Sequence, residues 1–107
     1  MSYYGELTLD ELVQANKNRN EEVYQTINNW SATDWGCALA GEVGELCNFL
    51  KKRLRGQPIP EKAIADEMAD VLIYLCLLAA NMDINLEQAV VNKFNEVSSR
   101  KGSSYYL

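Results

Sequence analysis

The sequence predicts an all-α protein, an antiparallel bundle of four helices. Three observations carry this: four segments repeat their apolar residues at helical spacing, each segment opens on a recognisable start signal, and no stretch alternates apolar and polar residues as a strand would. Two prolines and six glycines in 107 residues leave little room for loops. The length suits one hydrophobic core, so residues 1–107 are read as a single domain with flexible tails at 1–8 and 103–107.

Thr8-Leu9-Asp10-Glu11 reads as a capping box opening a first, polar amphipathic helix that runs toward Asn28. Ser31-Ala32-Thr33-Asp34 opens a second helix with an apolar stripe of Trp35, Leu39, Leu46, Phe49 and Leu54, closed by the basic run Lys51–Arg55 and Gly56. After the loop from Gly56 to Pro60, a proline suited to a first helical turn starts a third helix reaching about Met82. Its second half, Val71 to Ala80, is apolar on all faces, which predicts burial in a bundle and a homo-oligomer. Asn85-Leu86-Glu87-Gln88 reads as the capping box of a fourth helix through Val90, Phe94 and Val97 that ends before Gly102.

Composition removes several function classes. A formal net charge of −5 disfavours binding to DNA or RNA, which is usually held by a basic surface. No stretch reaches the roughly eighteen apolar residues of a membrane span, and no basic, then apolar leader opens the chain, so a cytoplasmic protein is expected. Cys37, Cys47 and Cys76 lack metal-type spacing and read as free thiols. The absence of histidine excludes Ser-His-Asp and Cys-His catalysis and histidine-held zinc.

Acids take the place that histidine leaves. Glu42 and Glu45 are three residues apart on one face of the second helix, and Glu42 lies along its apolar stripe. Glu67 and Asp70 repeat the spacing on the third helix beside Val71, Tyr74 and Leu78. Two carboxylates about 4 Å apart repel by about 4 kcal/mol at an effective dielectric of about 20, so four converging acids need a cation. Lysine or arginine could supply it. So could Mg²⁺, with Mn²⁺ as a substitute, since a set of hard oxygen ligands leaves positions for substrate phosphate. Most Glu-x-x-Glu pairs are simply surface residues of amphipathic helices; two pairs beside apolar neighbours on successive helices are less ordinary.

At these residues, Glu42-Val43-Gly44-Glu45-Leu46 followed after a spacer by Glu67-Met68-Ala69-Asp70-Val71-Leu72-Ile73-Tyr74, the chain resembles the MazG family, whose signature is EExxE, a spacer, then ExxD. The resemblance runs from about Trp35 through Lys93 and Arg100 and looks most like the all-α dCTP pyrophosphatase branch. It implies the four-helix fold shared with dimeric dUTPases, assembly as a homodimer or homotetramer, and Mg²⁺ held by Glu42, Glu45, Glu67 and Asp70. The implied reaction takes a nucleoside triphosphate, deoxynucleotides foremost, to its monophosphate and pyrophosphate, in clearance of surplus or modified nucleotides. Two positions depart from the family pattern. Gly41 stands where many members carry the first acid, and Val97 stands where some relatives place an asparagine.

Other candidates surround this set. Lys93 and Arg100 fall at family-matching positions from which either could reach a phosphate, although Arg100 equally suits a helix C-terminus. Lys52 lies one helical repeat beyond Glu45. Trp30 and Trp35 flank the start of the second helix: Trp30 in the preceding loop suits stacking on a base, and Trp35 on the stripe suits the core as well. Tyr74, one turn from Asp70, could bond a phosphate or a structural partner. The rival reading is a non-catalytic helical oligomer that binds a nucleotide as a sensor or interaction module.

Overall fold

A computed structural model describes residues 6–107. Its helices are α1 (Leu9–Arg19), which runs on into a π-helical turn at Asn20–Tyr24, α2 (Ala32–Leu54), α3 (Glu61–Asn81) and α4 (Leu86–Lys101). The all-α prediction holds, with no strand among the described residues. No helix among them is long and apolar enough to cross a membrane. Residues 1–5, part of the expected N-terminal tail, lie outside the described residues.

The helix starts follow from their caps. The Ser31 hydroxyl accepts from Asp34 N–H at 3.1 Å, and the Asp34 carboxylate accepts from Ser31 N–H at 2.9 Å, a complete capping box. That contact, the backbone N–H of Ser31 foremost, lowers the Asp34 carboxyl below its ordinary value. The boxes expected at Thr8 and Asn85 are each only half made. Both side chains accept from the third residue of their helix. The Gln88 amide, however, donates to Asn92 rather than returning to its cap, and Asp10 N–H reaches across to Glu87 Oε1 at 3.3 Å.

The first helix stops well short of Asn28. Asn20 is buried, and its carboxamide oxygen accepts from the backbone of Thr26 and Ile27 at 3.0 and 2.7 Å while its nitrogen donates to Thr26 Oγ1 at 2.9 Å. These bonds draw the chain out of the helix, through Gln25 in the left-handed region at φ 57°, because a side chain that satisfies nearby backbone competes with the helical ladder. From the other side, Asn81 at the end of α3 donates to the carbonyls of Ile27 and Trp30 at 2.6 and 3.0 Å. Two carboxamides thus pin the loop carrying Trp30.

The helices α2 and α3 form a hairpin and share the longest seam of the fold; α1 lies along α3, and α4 rests mainly on α1. Ile27, Trp35 and Leu77 form the buried centre, with Ile73, Tyr74, Leu78 and Ala80 packed around it. The apolar half of α3 is covered on two sides only. Cys76, Leu77 and Ala79 are buried, whereas Leu72 and Met68 on the same helix stay exposed. Burial also raises the Cys76 thiol above its ordinary value, which leaves it a small apolar filler. The radius of gyration is 16.2 Å, against about 13 Å for a compact domain of this length.

The segment 103–107, read from the sequence as a flexible tail, turns back along α4. Gly102 adopts the left-handed φ of 70°, Ser103 N–H closes onto the Ser98 carbonyl at 2.9 Å, and the Asn95 carboxamide bonds both the N–H and the carbonyl of Leu107.

Candidate active site at the seam of two helices

The acids of α2 and α3 meet because each occupies the face its helix turns toward the other. Trp35, Glu42 and Phe49 repeat at seven-residue intervals on α2, and Glu67, Asp70 and Tyr74 share one face of α3. One carboxylate oxygen from each of Glu42, Glu67 and Asp70 lies within 4.8 Å of the other two. Glu45, one turn along α2 from Glu42, is exposed and lies outside this set, although its charge acts on both Glu42 and Glu67. Three of the four predicted acids therefore come together, and Glu45 stands at their edge.

Their electrostatics are unbalanced. Loss of hydration raises the Glu42 carboxyl above its ordinary value, helped by the neighbouring charges of Glu45 and Asp70. Glu67 is raised by the same loss of hydration first and then by Glu45. The Oε2 atoms of Glu42 and Glu67 are buried with no hydrogen-bond partner. No lysine or arginine answers them. The ion pairs among the described residues are Lys62–Asp66, Lys93–Glu96 and Arg100–Glu96, all on the surface. Unpartnered carboxylate oxygens with like charges as neighbours fit a hard divalent cation, and no described side chain of this chain stands in for one.

A cavity of about 390 Å³ opens beside the acids, walled by Tyr24, Trp30, Trp35, Asp70 and Tyr74, with Arg19 at its edge. The Trp30 and Trp35 rings are 4.5 Å apart and tilted by 39°, and the Trp35 and Tyr74 centroids are 6.3 Å apart. Trp35 is a core residue and a cavity wall at once. Burial, then the charges of Glu42 and Asp70, raises the Tyr74 hydroxyl, which keeps it a protonated donor next to the acids. Asp70 and Tyr74 line the cavity as well as bordering the acid cluster, so the two form one continuous site.

The remaining candidates lie elsewhere in this chain. Lys52 packs its ammonium over the Phe49 ring at 6.0 Å. Lys93 and Arg100 are on α4, 3.5 and 3.8 Å from Glu96, and Lys93 borders a separate apolar groove with Val90, Phe94 and Val97. Sequence reasoning missed Arg19 and Tyr24. Arg19 does carry a signal, since it follows Leu12 and Asn16 at intervals of four and three on the face of α1 that meets α3. Carrying the first helix through to Asn28 hid it.

At Gly41, an added side chain would meet nothing within 4 Å, so the missing first acid of the signature is not a matter of crowding.

With the helices and the acid cluster in place, the class is defined: the MazG nucleotide pyrophosphohydrolase domain matches residues 32–101, and the chain belongs to that family. Among individual proteins it is similar to dCTP pyrophosphatase 1 of mouse and of human, 40% identical to each over 65 residues, and to the rat protein at 38%. Each alignment covers 54% of this chain and 38% of the relative, so the chain spans well under half the length of the curated relatives it matches. The family match begins at the first residue of α2 and so excludes α1 and the Trp30 loop.

Proposed function

We propose that the chain hydrolyses nucleoside triphosphates, deoxynucleotides foremost, to the monophosphate and pyrophosphate, with Mg²⁺, or Mn²⁺ in its place, held by Glu42, Glu45, Glu67 and Asp70. The observation that carries this reading is the pair of orphaned oxygens on Glu42 and Glu67, within a set of acids that no basic side chain neutralises. Family membership and the likeness to dCTP pyrophosphatase 1 support it, and dCTP is the first substrate to test.

The bound cation supplies charge neutralisation of the phosphates and Lewis-acid polarisation at the phosphorus under attack. The chain's own residues do the rest. The aromatic cavity orients the base and sugar, and the acid cluster next to Asp70 and Tyr74 fixes where the phosphates lie. Water attacks the α-phosphorus as the bond to the bridging oxygen breaks. One of the carboxylates accepts the water's proton, and pyrophosphate leaves with the bond pair. Tyr74, kept protonated, donates to a phosphate oxygen. The proposed setting is the cytoplasmic nucleotide pool.

The active form is proposed to be a homodimer or homotetramer. Val43, Leu50 and Leu54 form one exposed apolar stripe on α2, and Met68 and Leu72 on α3, with Met82 at its C-cap, form another. Val90 and Phe94 leave the stripe of α4 open as well, and Lys93 and Arg100 could join an acid cluster only as residues brought by a second copy. Alanine at Glu42 or at Asp70 tests the assignment. Turnover is lost while the helical circular-dichroism spectrum stays intact; full activity in both variants overturns it.

A further inference from the structure

Most polar groups in the wall of the aromatic cavity are already committed. Asn20 and Thr26 spend theirs on each other and on the loop backbone, and Asp70 belongs to the acid cluster. Two donors remain. The indole N–H of Trp35 is buried without a partner, on a residue only 2% exposed. Arg19, an exposed residue, lines the same cavity, has no carboxylate partner, and makes one long bond, 3.5 Å, to Asn16 Oδ1. The Trp35 N–H is closed off from a ligand in the cavity, whereas Arg19 is the one cation among the residues that line it and is free to meet a ligand's acceptors.

We infer that Arg19 reads the edge of the nucleobase and selects bases that present two adjacent acceptors. This rests on the proposed function and goes beyond it by naming what the cavity selects. A guanidinium is a planar fork whose parallel N–H groups fit two neighbouring acceptors and stay charged at every working pH. Cytosine offers that edge through O2 and N3, and guanine through O6 and N7. Adenine sets an amino donor beside each outer acceptor, and thymine sets its N3–H between its two carbonyls, so both oppose one arm of the fork. Trp30, backed by the buried Trp35 ring, and Tyr24 hold the base plane while the fork reads its edge. Arg19 lies outside the family match, so the reader stands on a helix that the family model does not cover.

The test compares wild type, Arg19→Ala and Arg19→Lys for pyrophosphate release from dCTP, dGTP, dTTP and dATP, separating kcat from KM. It is paired with tryptophan fluorescence of the metal-free protein titrated with dCMP, dGMP, dTMP and dAMP. Both tryptophans of the sequence line the cavity, so the emission reports binding there. The expected result for Arg19→Ala is a tenfold or greater loss in kcat/KM, mostly through KM, for dCTP or dGTP or both, with dTTP and dATP changed less than twofold. Monophosphate affinity shifts in the same pattern, and Arg19→Lys recovers part of it. An equal loss on all four bases, or no loss, overturns the inference. If wild type releases no pyrophosphate at all, the proposed function fails, and the fluorescence titration alone decides the role of Arg19: base-selective weakening sustains it, and uniform or absent weakening ends it.

Discussion

Glu42 on α2 and Glu67 on α3 each bury one carboxylate oxygen that finds no hydrogen-bond donor, and the two carboxyls face each other across the helix seam within 4.8 Å. Folding alone would not retain such a pair, because each acid loses hydration and gains a like-charged neighbour. The arrangement is therefore least stable when no cation is present. Glu42→Gln should raise the stability of the chelator-treated protein by about 0.5 kcal/mol after solvent screening, a melting shift of roughly 2–4 °C for a chain of this size. Millimolar Mg²⁺ should raise the melting temperature of wild type and leave that of the variant nearly unchanged. Thermal melts with and without chelator check both; an equal metal response in the two proteins contradicts the account.

The raised carboxyls also fix the sign of the pH dependence. Glu42 and Glu67 take up protons in the folded chain at a higher pH than in the unfolded chain. The native state binds more protons between the ordinary carboxyl value and the raised ones, so the cluster's contribution to metal-free stability falls as pH rises through that window. Metal-driven stabilisation runs the other way, growing with pH as the ligands lose their protons. Melts of wild type and Glu42→Gln in chelator from pH 4.5 upward should show the two converging at the acid end. A gap that does not change with pH would count against a shared, strained charge.

Gly41 offers a gain of function by addition. It is exposed in the middle of α2 with open space where a side chain would stand. Alanine there should stabilise the protein by about 0.5–1 kcal/mol through helix propensity alone. Glutamate, the residue many relatives carry, should stabilise less without metal, since it adds a like charge one turn from Glu45, and should tighten metal binding. Calorimetric titration with Mg²⁺ or Mn²⁺ measures this; unchanged affinity in Gly41→Glu would place that position outside the metal's reach.

Leu72, exposed on α3 between partly covered neighbours, tests the proposed assembly. Leu72→Glu places a charge in the uncovered stripe and should convert the oligomer to monomer in sedimentation velocity at micromolar concentration. A wild-type protein that already sediments as a monomer would remove the assembly proposal.

Much of this was legible in the sequence, for reasons that differ by element. Ser31 and Asp34 announced the start of α2 because a capping box is a local chemical contract, complete within four residues. The convergence of Glu42, Glu67 and Asp70 was readable from i, i+3 spacing set against an apolar stripe, since helical periodicity fixes direction as well as burial. The end of α1 was not readable. Asn20 looks like any polar helix residue until its carboxamide is seen holding Thr26 and Ile27, and the partner grip of Asn81 comes from more than fifty residues away. Arg19 was lost with that boundary. The surroundings of Lys93 and Arg100 were beyond reach for another reason: α4 takes its place mainly from α1, and Val90 and Phe94 of its apolar stripe stay exposed.

The central claim is that these acids serve metal-dependent pyrophosphohydrolysis, and product analysis tests it most directly. The protein is incubated with a panel of ribo- and deoxynucleoside triphosphates, dCTP first, in Mg²⁺, Mn²⁺ or EDTA, and phosphorus-containing products are resolved. The account predicts monophosphate and pyrophosphate in equal amounts, abolished by EDTA. Orthophosphate with diphosphate, or turnover indifferent to chelator, would contradict it; tight nucleotide binding with no product under any metal would turn the protein into a binding module instead.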